Sequence, residues 1–185
     1  MRIIAGEMRS RRLKAPEGMD TRPTADRVKE ALFSILNGRV YGAKVLDLYA
    51  GSGALALEAL SRGAESAVLA DCGRAACAVI QENIDALGCQ NRATLLRMKD
   101  TAAIGALQKQ NARFDLIFLD PPYGEKFLEN ALKRISEIDI LKSGGIIICE
   151  RPAEKALSDE YAAFRRARDY RYGRTGITIY RAEAS

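Results

Sequence analysis

Histidine is absent from the sequence of 185 residues. Hydrolase triads and most zinc sites depend on an imidazole, so neither kind of site is expected. Four cysteines are present, but their spacing does not match a metal site, and Cys149 lies within an apolar run. We therefore expect buried, reduced thiols and no bound metal.

Long apolar segments are absent as well. No run of about 18 or more uncharged apolar residues occurs, and the N-terminus lacks the apolar stretch of a signal peptide. The length is typical of a single domain, which commonly has about 100 to 200 residues. These features favour one cytoplasmic domain over residues 1–185 without a membrane partner. Separately from these features, we expect a monomeric protein.

Positive charge is plentiful and unevenly distributed. The net charge is +5; residues 1–29 hold eight Lys/Arg and four acids, and residues 161–181 hold six Arg and one acid. The two ends thus contribute +4 and +5, which leaves the remainder near −4. Cationic ends around an acidic middle indicate that the ends hold a polyanion while chemistry occurs centrally. An ordinary solvated basic surface is the alternative.

Apolar runs alternate with helical patterns along the centre of the chain. Strands are predicted at residues 45–49, 67–70, 94–98, 114–119 and 146–149, and helices at 53–61, 74–87, 101–110 and 126–138. Strands without polar alternation, separated by helices, indicate a parallel sheet covered on both faces. The predicted fold class is therefore α/β, doubly wound.

Both ends depart from this alternation. Residues 1–14 predict a short basic hairpin that turns near residues 6–10, and residues 161–182 predict an antiparallel hairpin. Between the first hairpin and the core, a helix is predicted to begin at Pro23 and Thr24 and to end at Asn37-Gly38, with one apolar face packed on the sheet (Val28, Leu32, Ile35 and Leu36). We accordingly treat residues 1–20 as an extension and residues 24–185 as the catalytic core.

The stretch VLDLYAGSGALALEAL places Gly51 and Gly53 between the first strand and a helix. Asp71 follows Gly51 by 20 residues, at the end of the second strand, where a carboxylate can accept both hydroxyls of a ribose. This pattern indicates a cofactor that contains a nucleoside.

Asp47 bears on the charge of that cofactor. A dinucleotide would place an anionic pyrophosphate against the glycine turn, where Asp47 would oppose it. S-adenosylmethionine instead carries a sulfonium and an ammonium, for which Asp47 and Asp120 are favourable neighbours. A carboxylate that only caps loop amides is the alternative for Asp47. Asp100 ends the third strand and is a candidate for the adenine edge or, alternatively, for a helix N-cap.

The tetrapeptide at residues 120–123, DPPY, ends the fourth strand, at the edge where doubly wound folds bind ligands. An exocyclic amine of a base is a poor nucleophile, because its lone pair is delocalised into the ring. The Asp120 carboxylate and the Pro121 carbonyl can accept its two hydrogens and draw the nitrogen toward a tetrahedral geometry. Proline fixes the backbone, and Tyr123 offers a face for stacking.

In-line transfer of a methyl group from positively charged sulfur then depends chiefly on orientation. No strong base is needed during attack, which agrees with the absence of histidine. A Pro-Pro strand terminator without catalytic meaning is the alternative.

These stretches resemble known motifs. DPPY preceded by IFL resembles the amino-methyltransferase motif, and DLYAGSG resembles the first cofactor motif of class I S-adenosylmethionine-dependent methyltransferases. RPTADRVKEALFSIL, preceded by RIIAGEMRSRRL, resembles the RsmD family of bacterial 16S rRNA guanine-N2 methyltransferases. The likeness covers nearly the whole chain in motif order and spacing.

The resemblance implies a Rossmann-like, mostly parallel sheet of seven strands with helices on both faces and a C-terminal antiparallel hairpin. It implies methyl transfer from S-adenosylmethionine to guanine N2, with S-adenosylhomocysteine as product. The implied partner is 16S rRNA within an assembled or partly assembled small ribosomal subunit.

The family's functional positions carry over where the motifs match. The implied cofactor residues are Asp47, Ala50, Gly51, Ser52, Gly53, Asp71, Cys72, Asp100 and Thr101. Those implied to hold the guanine are Asp120, Pro121, Pro122 and Tyr123. Those expected to contact RNA are Arg9, Arg11, Arg12, Arg22, Thr24 and Arg27. The chain departs from many relatives in having Ser10 where they have Gly and Asp71 where they have Glu.

Three other functions are considered. A DNA adenine-N6 methyltransferase shares DPPY, but the 66 residues between Gly53 and Asp120 are filled by predicted core elements and leave no room for a target-recognition domain. An NAD-binding oxidoreductase is disfavoured by Asp47 and leaves DPPY unexplained. A non-catalytic RNA-binding protein would use only the basic ends.

Overall fold

The computed structural model of the chain describes residues 1–17, 23–122 and 126–183. The helices in these ranges are α1 (Pro23–Ile35), α2 (Ala54–Ser61), α3 (Arg74–Leu87), α4 (Asp100–Lys109) and α5 (Phe127–Ser136). The strands are β1 (Lys44–Asp47), β2 (Ser66–Asp71), β3 (Ala93–Arg97), β4 (Phe114–Leu119), β5 (Leu141–Pro152), β6 (Glu160–Tyr161), β7 (Phe164–Tyr172) and β8 (Thr175–Ala182). The alternation of strands and helices predicted for the core is confirmed.

All eight strands form one sheet in the order β3-β2-β1-β4-β5-β8-β7-β6. Strands β1 to β5 are parallel to one another, whereas β8, β7 and β6 are added after β5 in antiparallel pairs. The expectation of seven strands was wrong by one, because the chain turns back after β6 and pairs Glu160 and Tyr161 with the start of β7. A strand of two residues is too short for its alternation to show in the sequence.

Helices cover both faces of the sheet, as predicted. Apolar residues of α1, α2 and α3 pack on one face, and those of α4 and α5 pack on the other. On α1 the predicted face is confirmed, since Val28, Leu32 and Leu36 are buried and Ile35 is partly buried. Within the described ranges, no helix is both long and apolar enough to cross a membrane.

The order of strands reverses at β1, which lies between β2 and β4. In doubly wound sheets, ligands bind at such a reversal, outside the ends of the parallel strands. We call the side where β1 to β4 end the carboxyl edge, and the side where they begin the amino edge. The register pairs Asp47 with Phe118, so β1 and β4 end side by side.

The N-terminal residues form the predicted hairpin, with an antiparallel bridge between Arg2 and Arg12. Its turn uses left-handed backbone at Gly6, with φ of 85°, and at Ser10, with φ of 69°. A Cβ at Gly6 would lie 1.8 Å from the carbonyl oxygen of Ser61, so only glycine fits there. The turn thus packs closely against the last residue of α2.

A buried carboxylate on α2 holds this hairpin in place. Glu58 has 0% exposure and accepts hydrogen bonds from the backbone N–H groups of Ile4, at 2.8 Å, and Ala5, at 3.0 Å. Its charge is compensated by Arg62, whose Nε lies 2.8 Å away, and by Lys29, whose Nζ lies at 3.4 Å. The N-terminal hairpin is therefore anchored to α2 by a set of paired, mostly buried charges.

Candidate cofactor and substrate site

A tight turn links β1 to α2 at the carboxyl edge. Gly51 and Gly53 both have positive φ, 58° and 80°, and the N–H of Gly53 donates to the carbonyl of Ala50 at 2.6 Å. A Cβ at Gly53 would lie 2.9 Å from a methyl group of Leu69. Glycine is required at Gly53 by both conformation and space, and the turn leads directly into the start of α2.

Asp71 supports this turn from the end of β2. One carboxylate oxygen accepts from the N–H of Gly51 at 2.9 Å, and the other accepts from the N–H of Gly73 at 2.8 Å. A carboxylate has about four acceptor sites, so capacity remains for hydroxyl groups of a ligand. Cys72, the next residue, is exposed beside it, so the expectation of buried thiols was wrong for this cysteine and is confirmed for Cys77, Cys89 and Cys149.

Asp47 lies beneath the turn with an unsatisfied oxygen. Its exposure is 1%, and among the described residues no group donates a hydrogen bond to Oδ1. Burial raises the pKa of Asp47 from 3.8 to about 7, and the Asp71 carboxylate adds to the rise, while backbone N–H groups of Ala56 and Tyr49 counteract it. A buried acceptor without a partner calls for an explanation such as a ligand or ion.

The first residue of the tetrapeptide lies directly after β4. Asp120 is partly exposed, and Pro121 behind it is buried. Burial raises the pKa of Asp120 well above its usual range, and the carboxylates of Glu150 and Asp47 raise it further. The Asp47 and Asp120 carboxylates, which lie where β1 and β4 end side by side, therefore repel each other, and that repulsion favours a cation near them. Pro122 is exposed, and Tyr123 lies outside the described residues.

Asp100 is held at the carboxyl edge by a hydrogen bond from Tyr49, a residue that the sequence analysis did not identify. The hydroxyl of Tyr49 donates to the Asp100 carboxylate at 2.7 Å, and the Tyr49 ring packs against Phe127 with centroids 6.4 Å apart. Burial and the Asp100 carboxylate raise the pKa of Tyr49. Lys99, not Asp100, occupies the N-cap position of α4, and Thr101 is exposed.

Comparison with known proteins identifies the family. A family model described as Conserved hypothetical protein 95 matches residues 1–181. The Bacillus subtilis protein YlbH is 38% identical over 181 residues, which is 98% of each chain. Ribosomal RNA small subunit methyltransferase D of Escherichia coli K12 is 33% identical over 184 residues, 100% of this chain and 91% of that protein. The chain belongs to the RsmD family of methyltransferases.

Solved structures agree with this assignment. The Escherichia coli protein YhhF matches the RsmD-family chain with a TM-score of 0.87 at 33% identity, covering 100% of this chain and 99% of that one. The 16S rRNA N2 G1207 methyltransferase RsmC of Thermus thermophilus was solved with AdoMet and guanosine. It matches with a TM-score of 0.68 at 24% identity, covering 91% of this chain and 45% of that one. The second likeness concerns the fold alone. The Rossmann-like class I methyltransferase fold is confirmed.

The arginines of the N-terminal RsmD signature do not all lie near this site. Arg9 and Arg12 are exposed on the N-terminal hairpin, and the guanidinium of Arg11 donates to the carbonyl of Ala86, near the end of α3. The hairpin turn contacts the last residue of α2. Since both helices end at the amino edge, the hairpin turn and Arg11 lie toward that edge. The open end of the hairpin reaches the glycine turn instead, where the Ser52 hydroxyl lies 3.4 Å from Sδ of Met1.

The start of α1 is better placed than the hairpin. The helix ends in the loop that enters β1 at the amino edge, so its first turn, with Thr24, points to the carboxyl edge. Arg27 is exposed there. Arg22 lies outside the described residues. Nowhere in residues 1–17, 23–122 and 126–183 do three or more potential ligands gather in a way that could hold a metal ion.

Proposed function

We propose that this RsmD-family protein transfers the methyl group of S-adenosylmethionine to the exocyclic N2 of a guanine in small-subunit (16S) rRNA and releases S-adenosylhomocysteine. The observation that carries the proposal is the group of carboxylates at the carboxyl edge. Asp47, whose Oδ1 has no partner among the residues that the structure describes, lies beside the glycine turn and raises the pKa of Asp120. Such a site suits a cationic cofactor.

The residues present fit S-adenosylmethionine. That cofactor supplies a methyl group on positively charged sulfur. Asp47 and Asp120 would lie near its positive charges, which would lower the pKa of both carboxyls. Gly51 to Gly53 would allow close approach of its amino-acid part, and Asp71 would accept from the ribose hydroxyls. A pyrophosphate in the same place would meet these carboxylates with like charge, which disfavours NAD.

For the target base, Asp120 and Pro121 would supply two acceptors. The carboxylate and the Pro121 carbonyl would each accept one N–H of the exocyclic amine, which frees its lone pair for in-line attack on the methyl carbon. The nitrogen–carbon bond would form as the carbon–sulfur bond broke, with the neutral thioether of S-adenosylhomocysteine as leaving group. The proton of the resulting ammonium then leaves through Asp120 to water. Tyr123 is proposed, from the sequence motif, to stack on the base.

The nature of the nucleic acid rests on the relatives. The Escherichia coli relative is named for methylation of small-subunit rRNA, which supports the same substrate class here. Guanine N2 rests on the resemblance of the motifs, and we expect the rRNA to be bound within an assembled or partly assembled subunit by a monomeric enzyme. Only core elements lie between Gly53 and Asp120, which argues against a DNA methyltransferase with a target-recognition domain.

The test is transfer of labelled methyl groups to three substrates. These are unmethylated small-subunit rRNA transcribed in vitro, small subunits assembled from it, and duplex DNA. We expect label in RNA or subunits, recovered as N2-methylguanosine by nucleoside mass analysis. Label recovered as N6-methyladenine in DNA, or heat on mixing with NAD and none with S-adenosylmethionine, would refute the proposal.

Asp120→Asn tests the catalytic assignment. The substitution removes the negative charge that stabilises the positive charge developing on the attacking nitrogen. We therefore expect kcat to fall by about a thousandfold, as for other preorganised electrostatic groups. Binding of S-adenosylmethionine, measured by calorimetry, should stay within several-fold of wild type. Turnover at the wild-type rate would remove Asp120 from the catalytic machinery.

A further inference from the structure

The arginines of the C-terminal hairpin fall into two groups. At the beginning of β7, Arg165 pairs with Glu160 and Glu183, and Arg166 pairs with Asp159. Further along, Arg168, Arg171 and Arg174 are exposed. Among the residues that the structure describes, these three arginines form no ion pair, although Nε of Arg171 donates to the carbonyl of Gly173 at 3.2 Å. The hairpin thus carries its uncompensated charge toward one end.

That end lies at the carboxyl edge. Leu119, the last residue of β4, pairs with Cys149, and β5 continues beyond it to Pro152. Pro152 in turn pairs with Thr175, which pairs with Tyr172. The tip of the hairpin, residues 171–174, therefore extends past the end of β4, where Asp120 follows. We call Arg168, Arg171, Arg174, Tyr170 and Tyr172 the hairpin-tip surface.

An ionic network around a buried arginine keeps the tip in place. Arg151 has 4% exposure, and its Nη2 donates to both carboxylate oxygens of Asp169, at 2.6 and 2.7 Å. Its Nε donates to the hydroxyl of Thr178 at 2.8 Å. A Cβ at Gly176 would lie 2.6 Å from Arg151 Nη1, so the guanidinium fills that space. β5, β7 and β8 are thereby joined through groups that also neutralise Asp169, the one acid in residues 161–181.

Two tyrosines accompany the unpaired arginines. In the antiparallel register Arg168, Tyr170 and Tyr172 lie opposite Ile179, Ile177 and Thr175, so their side chains share the face of the sheet covered by α1. Both tyrosines are only partly buried against that core. Arg168 shares this face and Arg174 lies in the turn at its end, whereas Arg171, opposite Gly176, lies on the other face. The tip thus presents exposed arginines around two partly exposed aromatic rings, a surface typical of RNA binding, with phosphates on the arginines and bases on the rings.

We infer that the hairpin-tip surface binds the rRNA strand next to the target nucleotide. The inference rests on the proposed function. It assigns phosphate contacts to Arg171 and Arg174 and base stacking to Tyr172. The tip is fixed to β5 beside Asp120, whereas the arginines at the turn of the N-terminal hairpin lie toward the amino edge.

The experiment compares two double variants that lose the same charge. Arg171→Gln/Arg174→Gln alters the tip, and Arg39→Gln/Arg181→Gln alters two exposed arginines at the amino edge that form no ion pair within the described part of the chain. The probes are small-subunit rRNA transcribed in vitro and small subunits assembled from it. For each variant we measure RNA affinity from about 50 to 200 mM salt, methyl transfer, S-adenosylmethionine affinity and the thermal midpoint.

We expect the tip variant to bind RNA about tenfold more weakly, with a salt slope shallower by about 1.4, because two phosphate contacts are lost from a single strand. Its KM for RNA should rise, while kcat at saturating RNA, cofactor affinity and the thermal midpoint stay at wild-type values. The amino-edge variant should match wild type throughout. Tyr172→Leu should weaken RNA binding several-fold with the salt slope unchanged.

Equal weakening in both double variants, or wild-type RNA binding by the tip variant, would overturn the inference. In either case methylation of RNA by the wild-type protein would leave the proposed function standing. If the wild-type protein neither binds nor methylates either probe, the proposed function and this inference fail together. Wild-type affinity in Tyr172→Leu would remove the stacking role.

Discussion

Glu58 and Asp47 are both carboxylates with almost no exposure to solvent, yet their surroundings differ. Around Glu58, under the N-terminal hairpin, two backbone N–H groups and two cationic side chains compensate the carboxylate. Around Asp47, at the carboxyl edge, Oδ1 has no partner among the described residues, and the like charge of Asp71 raises the pKa of Asp47 further.

This difference separates a structural carboxylate from a functional one. A buried charge that is fully paired and hydrogen-bonded is complete without a ligand, whereas an unsatisfied one adjacent to a cleft marks a place for one. Glu58 anchors the N-terminal hairpin, and its interactions are used within the fold. Asp47 retains an unsatisfied acceptor that a cationic cofactor can compensate.

The largest effect on stability is expected for Glu58→Gln. The amide would present N–H groups where Ile4 and Ala5 also present donors, and Lys29 would lose its buried counter-charge. Removing one partner of a buried charge pair costs about 3 to 5 kcal/mol. We therefore expect the free energy of unfolding, measured by urea titration, to fall by about 3 kcal/mol.

Glu65→Gln is the matched control, because Glu65 forms an exposed ion pair with Lys44 at 3.6 Å. Exposed pairs contribute about 0 to 1 kcal/mol, so the control should change the free energy of unfolding by no more than that. A loss in Glu58→Gln no larger than in the control would mean that Glu58 does not anchor the hairpin.

Asp47→Asn is expected to change stability in the opposite direction and to raise the free energy of unfolding at high pH. The pKa of Asp47 is raised from 3.8 to about 7, so between these values the native state holds a proton that the unfolded state has released. The contribution of Asp47 to the free energy of unfolding is therefore fully present below pH 3.8 and is lost as pH rises through 7. At pH about 8 the Asn variant should be more stable than wild type in urea titrations without cofactor, because it buries no charge.

The same variant should bind S-adenosylmethionine about tenfold more weakly in calorimetry, a change of about 1.4 kcal/mol, since the cofactor's positive charge loses a partner. The two measurements together separate the two readings of Asp47. A carboxylate that only caps loop amides would make the Asn variant less stable at pH 8 and would leave cofactor affinity unchanged.

The residues of the site could be found from the sequence because they follow strand ends. Asp47, Gly51, Asp71 and Asp120 each come after a short apolar run, and parallel strands end at one edge, so their proximity follows from the fold class. Tyr49 could not be assigned, since its contact with Asp100 depends on how two loops are packed.

Long-range contacts of the N-terminal hairpin were also beyond sequence reasoning. Glu58 meets Ile4 across 54 positions, and nothing local to either residue indicates that pairing. For the same reason Arg9 and Arg11 could be recognised as basic but not placed toward the amino edge. Charge composition shows that a surface is cationic, and only the sheet topology shows which edge it occupies.

The smallest change in the free energy of unfolding is expected for a substitution at the turn of the N-terminal hairpin. Ser10 is exposed and has φ of 69°, a conformation that costs a residue with a Cβ about 1 to 2 kcal/mol and glycine almost nothing. Because glycine also loses more entropy on folding, Ser10→Gly should raise the free energy of unfolding by no more than about 1 kcal/mol. Asn111→Gly, at φ of 52°, should gain less, since asparagine tolerates this conformation better than serine.

Ser10→Gly also sharpens the comparison between the two carboxylates. If Glu58 anchors the hairpin, removing the backbone strain at Ser10 cannot replace that anchor. In urea titrations the free energy of unfolding of Glu58→Gln/Ser10→Gly should then remain well below that of wild type. Because Ser10 and Glu58 share no hydrogen bond, their effects should add within about 0.5 kcal/mol. Recovery of wild-type stability in the double variant would mean that the turn, rather than the buried carboxylate, determines whether the hairpin docks.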